Sequence, residues 1–219
     1  MPVITKCLLV FTLIATIPLT VSTLLAEQTN PVHAHIGHVM DGFRSTPDGQ
    51  GLLPTAIAEA KIAAQHAALV AGSADNLDGM KRHAGHVLHA VDPSEISSGP
   101  GLGFGVKPAA VGASRHIRMA ADSEGASGNV TTHTQHVETS TNNTVQRSDE
   151  LIALAKAIQE ATTVASAATA AERLNTLAAQ LISGRDANGD GRIGWQENEG
   201  GLQQAEQHAN IMKKGEGLP

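Results

Sequence analysis

Alanine occupies most apolar positions of this chain, and this constrains its fold more than any other feature. Hydrophobic residues make up 41% of the 219 residues, but aromatic residues only 2%. The apolar positions recur at helical spacing, and almost no segment shows the alternation that is typical of strands. Alanine lets helices approach closely but buries little area per residue. We therefore predict an all-α, Ala-rich helical bundle whose thin core needs cohesion from something besides large side chains.

The helical periodicity divides the chain into successive segments. Helices are predicted over residues 31–42, 54–71, 76–90, 107–121, 129–161 and 167–182. A Ser/Gly/Pro-rich loop is predicted over residues 94–106. The middle of the longest helix, residues 139–144, is rich in Ser, Thr and Asn, which compete with the helical backbone for hydrogen bonds. We expect that stretch to be its weak point.

The first 26 residues have the composition of a secretory signal peptide. Lys6 is the only early charge, an apolar run extends from Cys7 to Leu25, and Ala26 offers a small residue for cleavage. An uncleaved membrane anchor is the alternative interpretation. Cleavage would remove Cys7, the only cysteine, so the mature chain would have no disulfide and no thiolate ligand. The segment predicts a periplasmic or secreted protein.

Composition and missing motifs exclude several classes of function. The formal net charge of −6 argues against a nucleic-acid partner. Beyond the signal segment the only aromatic residues are Phe43, Phe104 and Trp195, too few to stack on single-stranded nucleic acid. The chain has neither the H-E-x-x-H motif of zinc proteases nor the Glu-x-x-His repeats of di-iron bundles.

Histidine is abundant, and its distribution predicts a metal site in the bundle. Ten of the 11 histidines lie between residues 33 and 136. Three H-x-x-H pairs stand at 35/38, 83/86 and 133/136, a spacing that places two imidazoles on adjacent turns of one helix face. A facing helix could add one or two nitrogens, and His66 and His116 each occur singly. The candidate ligands are His35, His38, His66, His83, His86, His116, His133 and His136.

The identity of the metal stays open between several ions. Imidazole alone suits zinc, nickel or copper. Met40, Met80 and Met119 lie close in sequence to histidines, and a thioether beside an imidazole suits copper. Haem b held by two histidines is an alternative, and so is a role for the histidines as polar spacers between Ala-rich helices. For a metal site, we expect the pairs at 83/86 and 133/136 to converge on one ion.

Residues 186–197 carry the pattern D-x-[DN]-x-[DN]-G-x5-E, which is typical of a calcium loop. Calcium prefers six to eight oxygen ligands. Asp186, Asn188 and Asp190 supply side-chain oxygens, Gly191 permits the sharp turn, and Glu197 stands where a bidentate carboxylate belongs.

The segment of about residues 170–213 resembles the EF-hand family. The resemblance implies calcium ligands at Asp186, Asn188, Asp190, Arg192 (through its carbonyl) and Glu197. Gly200 and Gly201 disfavour the exit helix, so we expect it to be short or to restart at Leu202. The chain has one such loop whereas sensor EF-hands usually pair, which raises the alternative of a homodimer formed through it.

Together these patterns predict three segments and a binding function. Residues 1–26 form the signal peptide, 27–165 the His-rich bundle, and 166–219 a single EF-hand-like helix-loop-helix. We predict an exported calcium-binding protein whose bundle binds or buffers a transition metal. The alternative is an electron carrier or metalloenzyme using bis-His haem or copper. The binding protein is favoured because no acid, base or nucleophile stands out beside the histidines.

Overall fold

The computed structural model describes residues 30–219 and confirms the all-α prediction. This range contains seven α-helices and no strand. They are α1 Pro31–Met40, α2 Leu52–Gly72, α3 Leu77–Val91, α4 Val106–Asp122, α5 Gly128–Glu160, α6 Val164–Ser183 and α7 Leu202–Gly215. Within the described range, no helix is both long enough and apolar enough to cross a membrane. The proposed signal peptide or membrane anchor, residues 1–26, lies outside the described residues.

Polar residues fix where four of the helices begin. The side chains of Asn30, Asn76 and Ser127 accept hydrogen bonds from backbone N–H groups in the first turns of α1, α3 and α5. Thr163 and Ser166 form a reciprocal capping box at the start of α6. Each cap satisfies a donor that has no partner within its helix. These signals place the helices within a few residues of the predicted boundaries.

The hydrophobic core continues through all seven helices of the described range. Ala60, Ala63 and Ala67 of α2 are fully buried, as are Ala109 and Ala113 of α4. Helix α5 packs against α3, α4, α6 and α7, and α2 packs against α3, α4 and α6. The last two helices therefore share a core with the rest, while the division of the chain at residue 165 stays a prediction.

Helix α5 runs without interruption through the polar stretch at residues 139–144. Thr141, Thr144 and Ser148 donate their hydroxyls to carbonyls four residues earlier, so these buried groups are satisfied within the helix. Small side chains also let the loop after α6 approach, since a Cβ atom on Gly200 would lie 2.5 Å from the Ser140 hydroxyl oxygen. The polar stretch is therefore a contact surface of the helix.

The Ser/Gly/Pro-rich loop between α3 and α4 is present and is fixed by a buried carboxylate. Glu59 of α2 is fully buried and accepts hydrogen bonds from the N–H groups of Phe104 and Gly105 at the start of α4. A negative charge is favourable at a helix N-terminus. Gly101 has a φ of 130°, and a Cβ there would lie 2.5 Å from the Glu59 carboxylate. His89 Nδ1 lies 3.0 Å from the carbonyl of Pro100.

Candidate metal centres

Nine histidines form three separate triads, each at the contact between two helices. In every triad an H-x-x-H pair on one helix meets a single histidine on another. The first triad joins α1 to α4, the second joins α2 to α3, and the third joins α5 to α7. Their members are His35, His38 and His116; His66, His83 and His86; and His133, His136 and His208.

The position of each histidine on its helix explains why the imidazoles meet. Every one of the nine immediately precedes a buried residue, as His66 precedes Ala67 and His116 precedes Ile117. Adjacent residues on a helix point about 100° apart, since one turn takes 3.6 residues. The histidines therefore lie at the edge of each helix-helix contact, and all nine are half-buried. Two such edges facing each other bring three rings together.

In the first triad the three Nδ1 atoms converge. His116 Nδ1 lies 3.0 Å from His35 Nδ1 and 3.4 Å from His38 Nδ1. Phe43 packs its ring edge-on against both His38 and His116, with centroid separations of 5.6 and 5.1 Å. This aromatic contact holds two of the three imidazoles in place.

The second triad lies within the α2–α3 hairpin. His66 Nδ1 is 3.1 Å from His83 Nδ1 and 3.3 Å from His86 Nδ1. A groove of about 260 Å³ adjoins this triad and is lined by His86 together with Lys81, Arg82, Ser98 and other residues between α3 and the following loop. One member of this triad, His86, therefore borders an open groove on the surface.

The third triad has the same geometry and an aromatic neighbour of its own. His208 Nδ1 lies 3.1 Å from both His133 Nδ1 and His136 Nδ1. The Trp195 ring stacks on His136 with a centroid separation of 4.1 Å and an interplanar angle of 29°. Trp195 belongs to the loop between α6 and α7, so that loop contacts the third triad.

These separations match those of nitrogens bound to one small cation. Zinc–nitrogen bonds measure about 2.0–2.1 Å, so two ligands of a tetrahedral zinc lie roughly 3.3–3.4 Å apart. The Nδ1 separations of 3.0–3.4 Å lie at or just below that value. Across residues 30–219, no fourth histidine, cysteine, aspartate or glutamate joins any of the triads. The three triads could each hold a transition metal through three imidazoles.

Burial favours the neutral form, which is the form that binds a metal, in six of the nine triad members. It lowers the pKa of six members, and the charges of neighbouring histidines add to the effect. These six are His35, His66, His86, His116, His136 and His208. The pKa of His208 falls to about 4. A metal at neutral pH therefore displaces few protons from the rings.

These pKa shifts predict that the metal-free protein loses stability in mild acid. A histidine in the unfolded chain has a pKa near 6.5. Below that pH the unfolded state binds more protons than the folded state, so the free energy of unfolding decreases until pH about 4, where His208 also titrates. Thermal melts in a chelator at pH 7.5, 5.5 and 4.5 measure this. The matched variant His208→Asn should show a shallower decline, and identical slopes would contradict the assignment.

Sequence reasoning found eight of the nine triad members and missed the ninth. His208 lies apart from the other histidines in sequence, within the segment assigned to calcium binding. The expected convergence of the pairs at 83/86 and 133/136 is wrong, because each pair meets a different single histidine. His116, His133 and His136 repeat the intervals between His66, His83 and His86, but this repeat predicts neither His208 nor the grouping into triads. His33 and His89 lie outside the triads.

The loop at residues 186–197 is compact and held by its own acidic side chains. The Asp186 carboxylate accepts hydrogen bonds from the N–H groups of Gly189, Asp190 and Gly191. Within the part of the chain that is described, its acidic side chains do not converge in the way the histidines do. Helix α7 begins at Leu202, which confirms the predicted restart and leaves Glu197 outside a helix. An EF-hand-like helix-loop-helix is not confirmed.

The end of this loop is fixed to α5 by two polar side chains. Arg147 is buried and donates hydrogen bonds to the carbonyls of Asn198, Glu199 and Gly200 at 2.7–2.9 Å. Asn143, one turn earlier, donates to the carbonyl of Gly200 and accepts from the N–H of Asn198. Burial lowers the pKa of Arg147 to about 10, far enough above neutrality to leave it charged. Sequence reasoning gave no role to either residue.

Over residues 30–219 the structure thus defines an all-helical fold with three histidine triads arranged as candidate metal centres. Comparison of the chain with protein-family models, with curated proteins and with solved structures gave no match.

Proposed function

We propose that this protein binds up to three transition-metal ions, one at each triad, and so serves to hold or buffer the metal. The observation that carries this proposal is the threefold recurrence of converging Nδ1 atoms from two helices, each at 3.0–3.4 Å. Histidines acting only as spacers have no reason to cluster in threes. Ligand sets of imidazole alone suit zinc, nickel and copper. A bare ion fits the convergence of three rings on one point better than the haem alternative.

Metal stoichiometry tests the proposal. The full chain, purified without an affinity tag, is loaded with zinc, passed through a desalting column and analysed for metal, and copper and nickel are tested in parallel. We expect three zinc ions per chain. His66→Ala, His116→Ala and His208→Ala should each remove one, because each deletes the ligand that joins two helices. His33→Gln is the matched control, since His33 only pairs with Glu216. Fewer than one bound ion per chain would refute the proposal.

The metal-holding role is favoured over catalysis or electron transfer by the similarity of the three triads. Each has the same ligand type, the same H-x-x-H plus single histidine arrangement and the same half-buried position. An enzyme needs one site with specific acid, base or substrate-binding groups. We further propose, on the composition of residues 1–26, that the protein is exported and meets its metal outside the cytoplasm.

We also propose that the loop at residues 186–197 binds calcium. The support is the match of its ligand positions to the calcium-loop pattern and the compact fold of the loop around Asp186. Asn188, Asp190 and Glu197 are exposed and would contribute further oxygens. A single loop with glycine at residue 194 should bind at the weak end of the known range, about 10⁻⁴–10⁻³ M.

Fluorescence of Trp195, which lies inside the loop, measures calcium binding. In chelator-treated protein with all transition metal removed, calcium should change the emission with a midpoint in the range above. Glu197→Gln should weaken binding by at least tenfold, because the loop loses a charged bidentate ligand. Glu206→Gln, on the exposed side of α7, should leave the midpoint unchanged. No response by fluorescence or calorimetry up to several times that range would refute calcium binding.

A further inference from the structure

We propose that the metal-loaded second triad takes a small oxyanion, such as phosphate or a phosphate monoester, as its fourth ligand. This rests on the proposed function, since it requires a metal at His66, His83 and His86. Structural zinc sites are closed by four protein ligands, whereas sites with three protein ligands keep a position for water or an exogenous ligand. The described residues add no fourth histidine, cysteine or carboxylate to this triad, so its remaining position is available to a ligand from solution.

The groove beside the second triad determines which ligand fits. His86 lines this groove of about 260 Å³, so a molecule in the groove contacts a member of the triad directly. The space accommodates a tetrahedral oxyanion and leaves room for a small substituent on it. Three other grooves between the helices are lined by no member of a triad. The second triad therefore has an approach for a ligand from solution.

The charges around this groove select an anion. Lys81 and Arg82 both line it, and Ser98 adds a hydroxyl donor. Arg82 precedes His86 by one helical turn, so the two side chains lie on the same face of α3. No carboxylate lines the groove. A divalent cation with two neighbouring cationic side chains strongly favours a negatively charged ligand over neutral water.

The geometry of the donors points to a phosphate-like anion in particular. Arginine presents a planar fork of N–H donors that matches two oxygens of a phosphate, and lysine adds a point charge. The metal would take one oxygen, leaving the others to Arg82, Lys81 and the Ser98 hydroxyl. Gln159, the remaining polar residue in the lining, already donates to the carbonyl of Lys81 and so stiffens the wall of the groove. Inorganic phosphate and a phosphate monoester share this chemistry.

Calorimetry on the full chain tests the inference, with zinc loaded to stoichiometry and no free zinc present. Inorganic phosphate should bind at one site per chain. Arg82→Gln should weaken binding about tenfold or more while leaving the zinc content at three, because the variant loses a charge-assisted hydrogen bond and no ligand of the metal. His66→Ala should abolish phosphate binding together with one zinc. Arg173→Gln, whose arginine is exposed on α6 and pairs with Glu150, is the control and should bind phosphate normally.

Cobalt substitution gives an independent readout. In cobalt-loaded protein, phosphate should change the visible absorption of one cobalt in three, and the change should disappear in His66→Ala. Methyl phosphate in place of phosphate distinguishes an ester from the free anion: equal or tighter binding assigns the groove to phosphate monoesters, and much weaker binding assigns it to the free anion. Zinc bound at three sites without phosphate binding would overturn this inference alone. A chain that binds no zinc would overturn the proposed function as well.

Discussion

Saturating zinc should raise the melting temperature of the metal-free protein by roughly 5–11 °C for each triad that it fills. A ligand that binds only the folded state at about 100 times its Kd adds roughly 2.7 kcal/mol to the free energy of unfolding. In a chain of this size, 1 kcal/mol shifts the melting temperature by about 2–4 °C. The effect should be large because the Ala-rich core buries little area per residue, so each cross-link between helices contributes a substantial share of the stability.

Calorimetric or circular-dichroism melts with and without zinc measure this shift. His66→Ala, His116→Ala and His208→Ala should each lose about one third of it, and His33→Gln should keep all of it. Calcium at the same concentration should not replace zinc at the triads, because it prefers oxygen ligands. A melting temperature that does not respond to zinc, copper or nickel would mean that the histidines are polar spacers.

Replacing Arg147 with methionine should destabilise the protein by about 3–5 kcal/mol. The guanidinium is buried and donates to three consecutive loop carbonyls. Without it, Arg185 would be the remaining donor to two of them, through its Nε to Asn198 and its backbone N–H to Glu199. Hydrogen bonds to a charged group contribute about 1.5–3 kcal/mol each, and the remaining donors offset part of the loss of three. Gly200 would keep only its hydrogen bond from Asn143. The loop after α6 should loosen along with the global loss.

Urea unfolding of Arg147→Met against the parent chain measures the change. Arg173→Met is the matched control, because Arg173 pairs with Glu150 on the exposed surface and such a pair contributes about 0–1 kcal/mol. Hydrogen exchange should show faster exchange across residues 195–200 in the Arg147 variant than in the control. Equal stability of the two variants would show that Arg147 is not essential for the position of the loop.

Helical periodicity predicted the fold well because it depends on local spacing. The loop at residues 94–106 and the restart at Leu202 could be recognised because glycine and proline mark chain breaks independently of tertiary contacts. The role of the polar stretch at residues 139–144 could not be recognised, since it depends on a loop more than fifty residues later that packs against it. Arg147 was missed for the same reason.

The candidate site was predictable in its ligands but not in their grouping. The H-x-x-H spacing determines which two imidazoles share a helix face. Which helix supplies the third imidazole depends on how the helices pack. The single histidine of α2 and that of α4 precede the next H-x-x-H pair by the same interval, but they join different triads. His66 meets the pair that follows it in the chain, whereas His116 meets the earlier pair at 35/38. His208 was overlooked because it stands alone in the segment that was assigned to calcium binding, and its partners in α5 lie 72 and 75 residues away.

A metal that stayed on its histidines while the rest of the chain unfolded would restrict the unfolded chain, to a degree set by the span of its triad. The second triad joins histidines 17 residues apart, but the first joins residues 78 apart. A link across a longer stretch removes more chain entropy, and the loop-closure relation gives the first triad an advantage on the order of 1 kcal/mol. Residues 30–219 contain no cysteine, so the loaded triads would act as reversible counterparts of disulfides. Removal of the metal by a chelator would then cost more stability at the first triad, which closes a long loop, than at the second, which closes a short one.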